Sequence, residues 1–228
     1  MANRSSPWNE PYVPVHTLFV TAVQIFLYYV GDVGLRFSLP IPVRPGTEWR
    51  LLTLVLVHAD ATHLWGNLLV TLTVGLLFEA IHGPVRTALV YWTAGLAASI
   101  CEVLTWTPPA VALLGSSGAV FGLVGAATAH VLLNREPMAP HWRLWALLVV
   151  LVVGEEAYRQ TFAPSSNVAY AAHAAGAIYG AVLGACVVRN VEFGPVERWV
   201  GRLGAFAAVA GMATLLILLC ARVAVWSV

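Results

Sequence analysis

Leu113 to Gly122 read LLGSSGAVFG, two serines set between glycines in a run otherwise apolar enough to lie in hydrocarbon. Hydroxyls and bare backbone in such a run have two uses: small residues let helices meet backbone to backbone, and a serine beside a base becomes a nucleophile. Composition sets the stage for choosing between them. Of 228 residues 59% are hydrophobic and only 10% charged, with a mean hydropathy of +0.78, whereas soluble domains are roughly 25% charged. This is the composition of an all-α polytopic membrane protein. A net charge of +1, no lysine and no long basic run exclude nucleic acid as a partner. Cys101, Cys186 and Cys220 all sit in apolar runs and read as small core residues, with neither a disulfide framework nor a metal site implied.

Segments of about 20 apolar residues are long enough to cross a bilayer, and seven fit, at 15–35, 62–81, 86–106, 114–133, 142–161, 168–189 and 203–226. They divide the chain into a short N-terminal cytosolic segment (1–14), a six-span core (15–190) and a linker with a seventh span (191–228). The first segment follows a polar, proline-containing head with no basic region before it and no small-residue cleavage site, so it reads as a retained span. One connection is long, 36–57, where Leu51 to Val57 is too short to span and suits the interface beside Trp49 and Arg50. Arginines at the span ends divide seven to five in favour of a cytosolic N-terminus.

Polar groups inside spans carry the information, because each is expensive in lipid unless paired or functional. At the start of span two, in HADATHLWGN, His63 and Asn67 are four residues apart and share one helical face. His58 stands five before His63, the wrong spacing for two metal ligands on one helix, so no metal is expected. Taken alone, the pair suits either bonds to a neighbouring helix or a functional site. In span six, Gly176, Gly180 and Gly184 form a bare stripe with His173 on the same face, and in span four Gly118, Gly122 and Gly125 form a second. Two such stripes are natural partners, with Ser117 at the margin of the seam between them. In the right register its hydroxyl reaches His173, a nucleophile beside a general base. His63, Asn67 and the N–H groups opening span four stand at the same membrane face and suit an oxyanion hole.

Trp49 and Arg50, then HADATHLWGN, then Glu79, then GSSG from Gly115 to Gly118, then AHAAGAIYG from Ala172 to Gly180, in this order and spacing, resemble the rhomboid family of intramembrane serine proteases. The resemblance covers roughly Trp49 to Asn190. It implies Ser117 as nucleophile and His173 as base, in a dyad without an acidic member, with His63, Asn67 and the N–H groups of Ser116 and Ser117 as the oxyanion hole. Ser116 is then expected to contribute mainly its backbone. Arg50 and Glu79 are expected to organise the loop between spans one and two, with Trp49 beside them and His58 in support. Gly115, Gly118, Gly176 and Gly180 belong to the same motifs. EAIHGPVR, AHVLLN and VVRN are similar to the eukaryotic secretase type, whose plan adds a span after the six-span core. Phe121 departs from the family's tyrosine but keeps the ring that stacks on the catalytic histidine.

The resemblance implies no cofactor, single-span membrane proteins as substrates, the lipid bilayer as surroundings, and an active site on the lumenal or extracellular side in the secretory pathway or plasma membrane. It leaves one rival, an inactive rhomboid-like pseudoprotease that binds transmembrane clients. Glu155 and Glu156, about 100° apart on a helix, are expected to pair with Arg159, Asp32 is expected to reach Arg36, and His130 to make a helix-end contact. His82 and His141 fall in loops on this reading, while Tyr170 and Tyr179 pack.

Overall fold

The structure is a computed structural model that describes residues 13–30, 36–105, 112–133, 142–162 and 168–187. The seventh span, Asp32, His141 and Cys220 lie outside the described residues. Helix α1 (Val15–Tyr29) is followed by a two-residue strand β1 (Leu39–Pro40) and by α2 (Arg50–Thr53), which runs into a 3-10 turn at Leu54–Leu56. Then come α3 (Ala61–His82), α4 (Pro84–Thr105), strand β2 (Ala112–Leu113), α5 (Ser117–Leu133), α6 (Trp142–Phe162) and α7 (Tyr170–Val187). The six expected spans of the core are thus six helices. His82 ends α3 rather than lying in a loop, and Gly83 at φ 81° stops that helix so that Pro84, whose missing N–H costs nothing there, opens the next.

Span four starts later than its apolar run, at Ser117 instead of residue 114. Gly115 has φ 122°, which no right-handed helix accommodates, and Leu113 and Ala112 pair antiparallel with Leu39 and Pro40. The long 36–57 connection is therefore laced to the segment before α5. Leu51, Leu54, Val55 and Val57 are buried against protein, not laid out along the interface; only Leu52 of that run is substantially exposed.

Helix α5 is the axle of the bundle. Most of its residues from Gly118 to His130 are buried, with α7 on one side and α4 on another. The two glycine stripes do meet, although they divide the work differently from a symmetric zipper. A Cβ on Gly176 or Gly180 would strike the carbonyl oxygens of Gly118 and Gly122, so α7 lies backbone to backbone on α5. The space at Gly118 and Gly122 is filled by Ala98 and Ala94 of α4. Gly125 of α5, by contrast, lies directly on the α7 backbone at Ala177 and Ala181, so the α5 stripe admits α4 at its first two glycines and α7 at its third. Helix α6 sits at the edge with Leu147, Val150 and Leu151 exposed, as lipid-facing apolar residues are.

Glu79 differs from expectation. It lies about 24 Å along α3 from His63, fully buried, and accepts hydrogen bonds from the backbone N–H of His16 (2.9 Å) and Thr17 (2.7 Å) and from the Thr17 hydroxyl (2.6 Å). The Pro14 side chain caps nothing, so Glu79 satisfies the open N-terminus of α1 from across the bundle. Its hydrogen bonds among the described residues go to α1 and not to the 36–57 loop.

The seam predicts asymmetric glycine effects. Gly180→Val, which drives a side chain into the Gly122 carbonyl, is expected to destabilise the protein by about 1–3 kcal/mol in thermal unfolding in detergent. Gly154→Ala, at a helical position with open space, is expected to be neutral or slightly stabilising.

Candidate active site

Asp60 adopts an extended conformation before α3 and its carboxylate accepts the His63 N–H at 2.8 Å, a side-chain cap that starts the helix there. His63 is thereby presented at the first turn, its ring against the Gly115 backbone, where any Cβ would overlap the imidazole. Gly115 in turn donates its N–H to the Leu54 carbonyl at 2.9 Å. Loop, helix start and serine turn are held as one unit.

Ser116 is fully buried, and its side chain is occupied: Oγ lies 3.1 Å from His58 Nε2 and within hydrogen-bonding reach of the Tyr91 hydroxyl. Tyr91 also receives the Gln24 amide at 2.7 Å, and Gln24 donates to the Val55 carbonyl at 3.2 Å. The expectation that Ser116 offers mainly its backbone is corrected here, because a hydroxyl in this apolar interior needs partners. His58 anchors the serine turn itself, beyond supporting a loop. Arg50 donates to the Ser38 carbonyl at 3.2 Å with its guanidinium over the Trp49 ring, which ties α2 to the start of β1.

Ser117 is the first residue of α5, next to N–H groups that have no partner within the helix. Its Oγ lies 2.8 Å from His173 Nε2. The imidazole stacks on Phe121, ring centroids 4.6 Å apart and planes 19° apart. On its other side His173 Nδ1 lies 2.6 Å from Glu156 Oε1. Since the carboxylate only accepts, Nδ1 carries the proton and Nε2 is left to accept from Ser117. The two glutamates of α6 thus part company. Glu155 pairs with Arg159 at 2.6 Å as its spacing suggested, whereas Glu156 faces inward and replaces the expected pairing with Arg159. Glu102 of α4 accepts the Ala172 N–H at 3.1 Å, one residue before His173.

Asn67 is buried, and its Nδ2 has no acceptor among the described residues, a donor still open on the face it shares with His63. At the other end of the bundle His130 Nδ1 meets His82 Nε2 at 2.9 Å. Among the described residues no three His, Cys, Asp or Glu side chains are grouped to hold a metal.

Residues 45–190 match the model of the rhomboid domain. The chain belongs to the rhomboid family. It is 34% identical over 150 residues to rhomboid-related protein 2 of Mus musculus, covering 63% of this chain and 49% of that protein. It is 33% identical over 154 residues to rhomboid-related protein 3 of Homo sapiens, covering 63% and 37%, and 36% identical over 94 residues to rhomboid protease GluP of Bacillus subtilis, covering 41% and 18%. The match spans half or less of each of these relatives. The rhomboid family comprises membrane proteins and includes serine intramembrane proteases as well as inactive members.

Sequence reasoning missed Glu102, Tyr91 and Gln24, which lie in apolar runs without motif neighbours, and misassigned Glu156, whose inward turn no spacing reveals. Two expectations follow from the Ser116 network. Ser116→Ala strands buried partners and is expected to cost about 1–3 kcal/mol of stability. Burial, with His63 adding to it, lowers His58 from 6.5 to about 3. As pH falls from 6.5 toward 3 the unfolded chain takes up a proton that folded His58 refuses, so stability is lost through that window. Unfolding measured against pH is expected to show a shallower acid slope in His58→Asn, by up to about 1.4 kcal/mol per pH unit.

Proposed function

We propose that this protein is an intramembrane serine endopeptidase that cuts peptide bonds within or beside the transmembrane segments of other membrane proteins. The observation that carries the reading is the 2.8 Å contact between Ser117 Oγ and His173 Nε2. As Oγ forms its bond to the scissile carbonyl carbon, its proton passes to Nε2 and the carbonyl electron pair moves onto oxygen. His63, the open Asn67 amide and the N–H groups opening α5 are the donors for that oxyanion. Collapse breaks the carbon–nitrogen bond, and the proton on Nε2 leaves with the amine. Water then repeats the sequence on the acyl-enzyme, its proton taken by Nε2, and releases the acid.

Phe121 supports the reading by fixing the plane of the base with its π face. Residues 15–190 form the catalytic core of this proposal, with the N-terminus cytosolic and the site open to water on the lumenal or extracellular side. Substrates are single-span membrane proteins entering from the lipid, and they unwind locally, because a helical peptide bond has no free carbonyl to attack. Small, helix-weakening residues near the cut are therefore expected.

Cleavage of a single-span substrate in liposomes tests this. Ser117→Ala and His173→Ala are each expected to abolish it, while Ser116→Ala retains most of the activity of the protein that remains folded. Parental cleavage by Ser117→Ala overturns the mechanism.

A further inference from the structure

We propose that Glu156 is a positioning residue for His173, holding the base of the Ser117–His173 pair from a third helix. The inference rests on the serine-protease reading above. Three contacts converge on one imidazole: Ser117 Oγ on Nε2 at 2.8 Å, Glu156 Oε1 on Nδ1 at 2.6 Å and the Phe121 ring on its face. Stacking leaves the ring free to rotate in its own plane and to flip. A hydrogen bond from Nδ1 to a carboxylate removes both freedoms and selects the tautomer whose Nε2 is an acceptor. The histidine and glutamate side chains are only 12% and 19% exposed, so the bond is largely shielded from competing water.

Electron and proton balance assign the glutamate its place. When Nε2 takes the Ser117 proton, the imidazole becomes an imidazolium, and the developing positive charge sits beside the Glu156 carboxylate. Glu156 touches neither substrate nor reacting atoms; it acts through His173.

Position on α6 gives this device a distinct origin from the rest of the site. Ser117 and Phe121 come from α5 and His173 from α7, the two helices joined backbone to backbone. Glu156 comes from the edge helix, and Arg159 binds its neighbour Glu155 in preference to it. The charged and titratable groups around the imidazole are Glu156 on α6, Glu102 on α4, His63 on α3 and Tyr170 on α7. Of the two carboxylates, Glu102 is bonded to the Ala172 N–H, and Glu156 is the one bonded to the ring.

The test is steady-state cleavage of a single-span substrate, with kcat and KM separated, by the parent, Ser117→Ala, Glu156→Gln and Glu155→Gln, with folding followed by circular dichroism. Glu156→Gln is expected to lower kcat by about 10- to 100-fold with KM within twofold of the parent. Glu155→Gln is expected to match the parent. If Glu156→Gln does not fold, the shorter Glu156→Asp takes its place, with the same loss of kcat expected. An active parent whose folded Glu156 variant keeps kcat, or loses activity through KM alone, overturns this inference alone; a parent that does not cleave overturns the protease reading and this inference with it.

Discussion

The backbone contact between α5 and α7 is the constraint on which the rest depends. Gly176 and Gly180 have no side chains to hold the carbonyls of Gly118 and Gly122 away, and that absence sets the separation of two helices that carry one member each of the Ser117–His173 pair. Ser117 and His173 come from positions 56 residues apart, and their 2.8 Å contact follows from the register of this seam. Lipid offers no hydrophobic force to drive helices together, so close van der Waals approach and interhelical hydrogen bonds must do so. The same small residues therefore stabilise the bundle and assemble the site. Ala94 and Ala98 extend the principle to α4, which fills the space left by Gly118 and Gly122 of α5.

Around this seam several polar groups of the interior are joined through a few shared links. Ser116 joins His58 and Tyr91, and Tyr91 joins Gln24, which reaches the Val55 carbonyl. The chain of bonds passes through α1, the 3-10 turn, α4 and the turn before α5, so the position of the serine turn is fixed from several directions at once. Glu79 does a separate task at the far end, closing the open N-terminus of α1. Asn67 Nδ2 is one of several buried side-chain atoms without a partner among the described residues, and it is the one on the helical face of His63. A buried donor without an acceptor costs stability, and an oxyanion that exists only during a reaction is the acceptor that would justify that cost.

Much of this architecture was legible from residue types alone. Spans emerge from hydropathy, and glycines at intervals of four or seven residues mark the seam. Ser117 and His173 are recognisable because each sits beside a stripe, within motifs whose order resembles one family. The start of α5 was misplaced because apolar residues before Gly115 hide a strand pairing with a segment more than 70 positions earlier, and local hydropathy carries no signal of it. Glu79 and Glu156 were misassigned for a related reason: a carboxylate's partner is chosen by tertiary approach. Spacing found Arg159 for Glu155, yet the 100° between adjacent helical residues that separates Glu155 from Glu156 is what turns the second one inward. Gln24, Tyr91 and Glu102 belong to no pattern and become visible only when their neighbours are in place.

The central claim is that the α5–α7 seam makes Ser117, alone of the two adjacent serines, a nucleophile. Its most direct test is the reaction of the protein in liposomes with a fluorophosphonate, in which an activated serine displaces fluoride from phosphorus, followed by peptide mapping. The adduct is expected on Ser117, with none on Ser116 and none at either position in His173→Ala. Absence of any adduct on the parent, or equal modification of Ser116 and Ser117, would contradict the account.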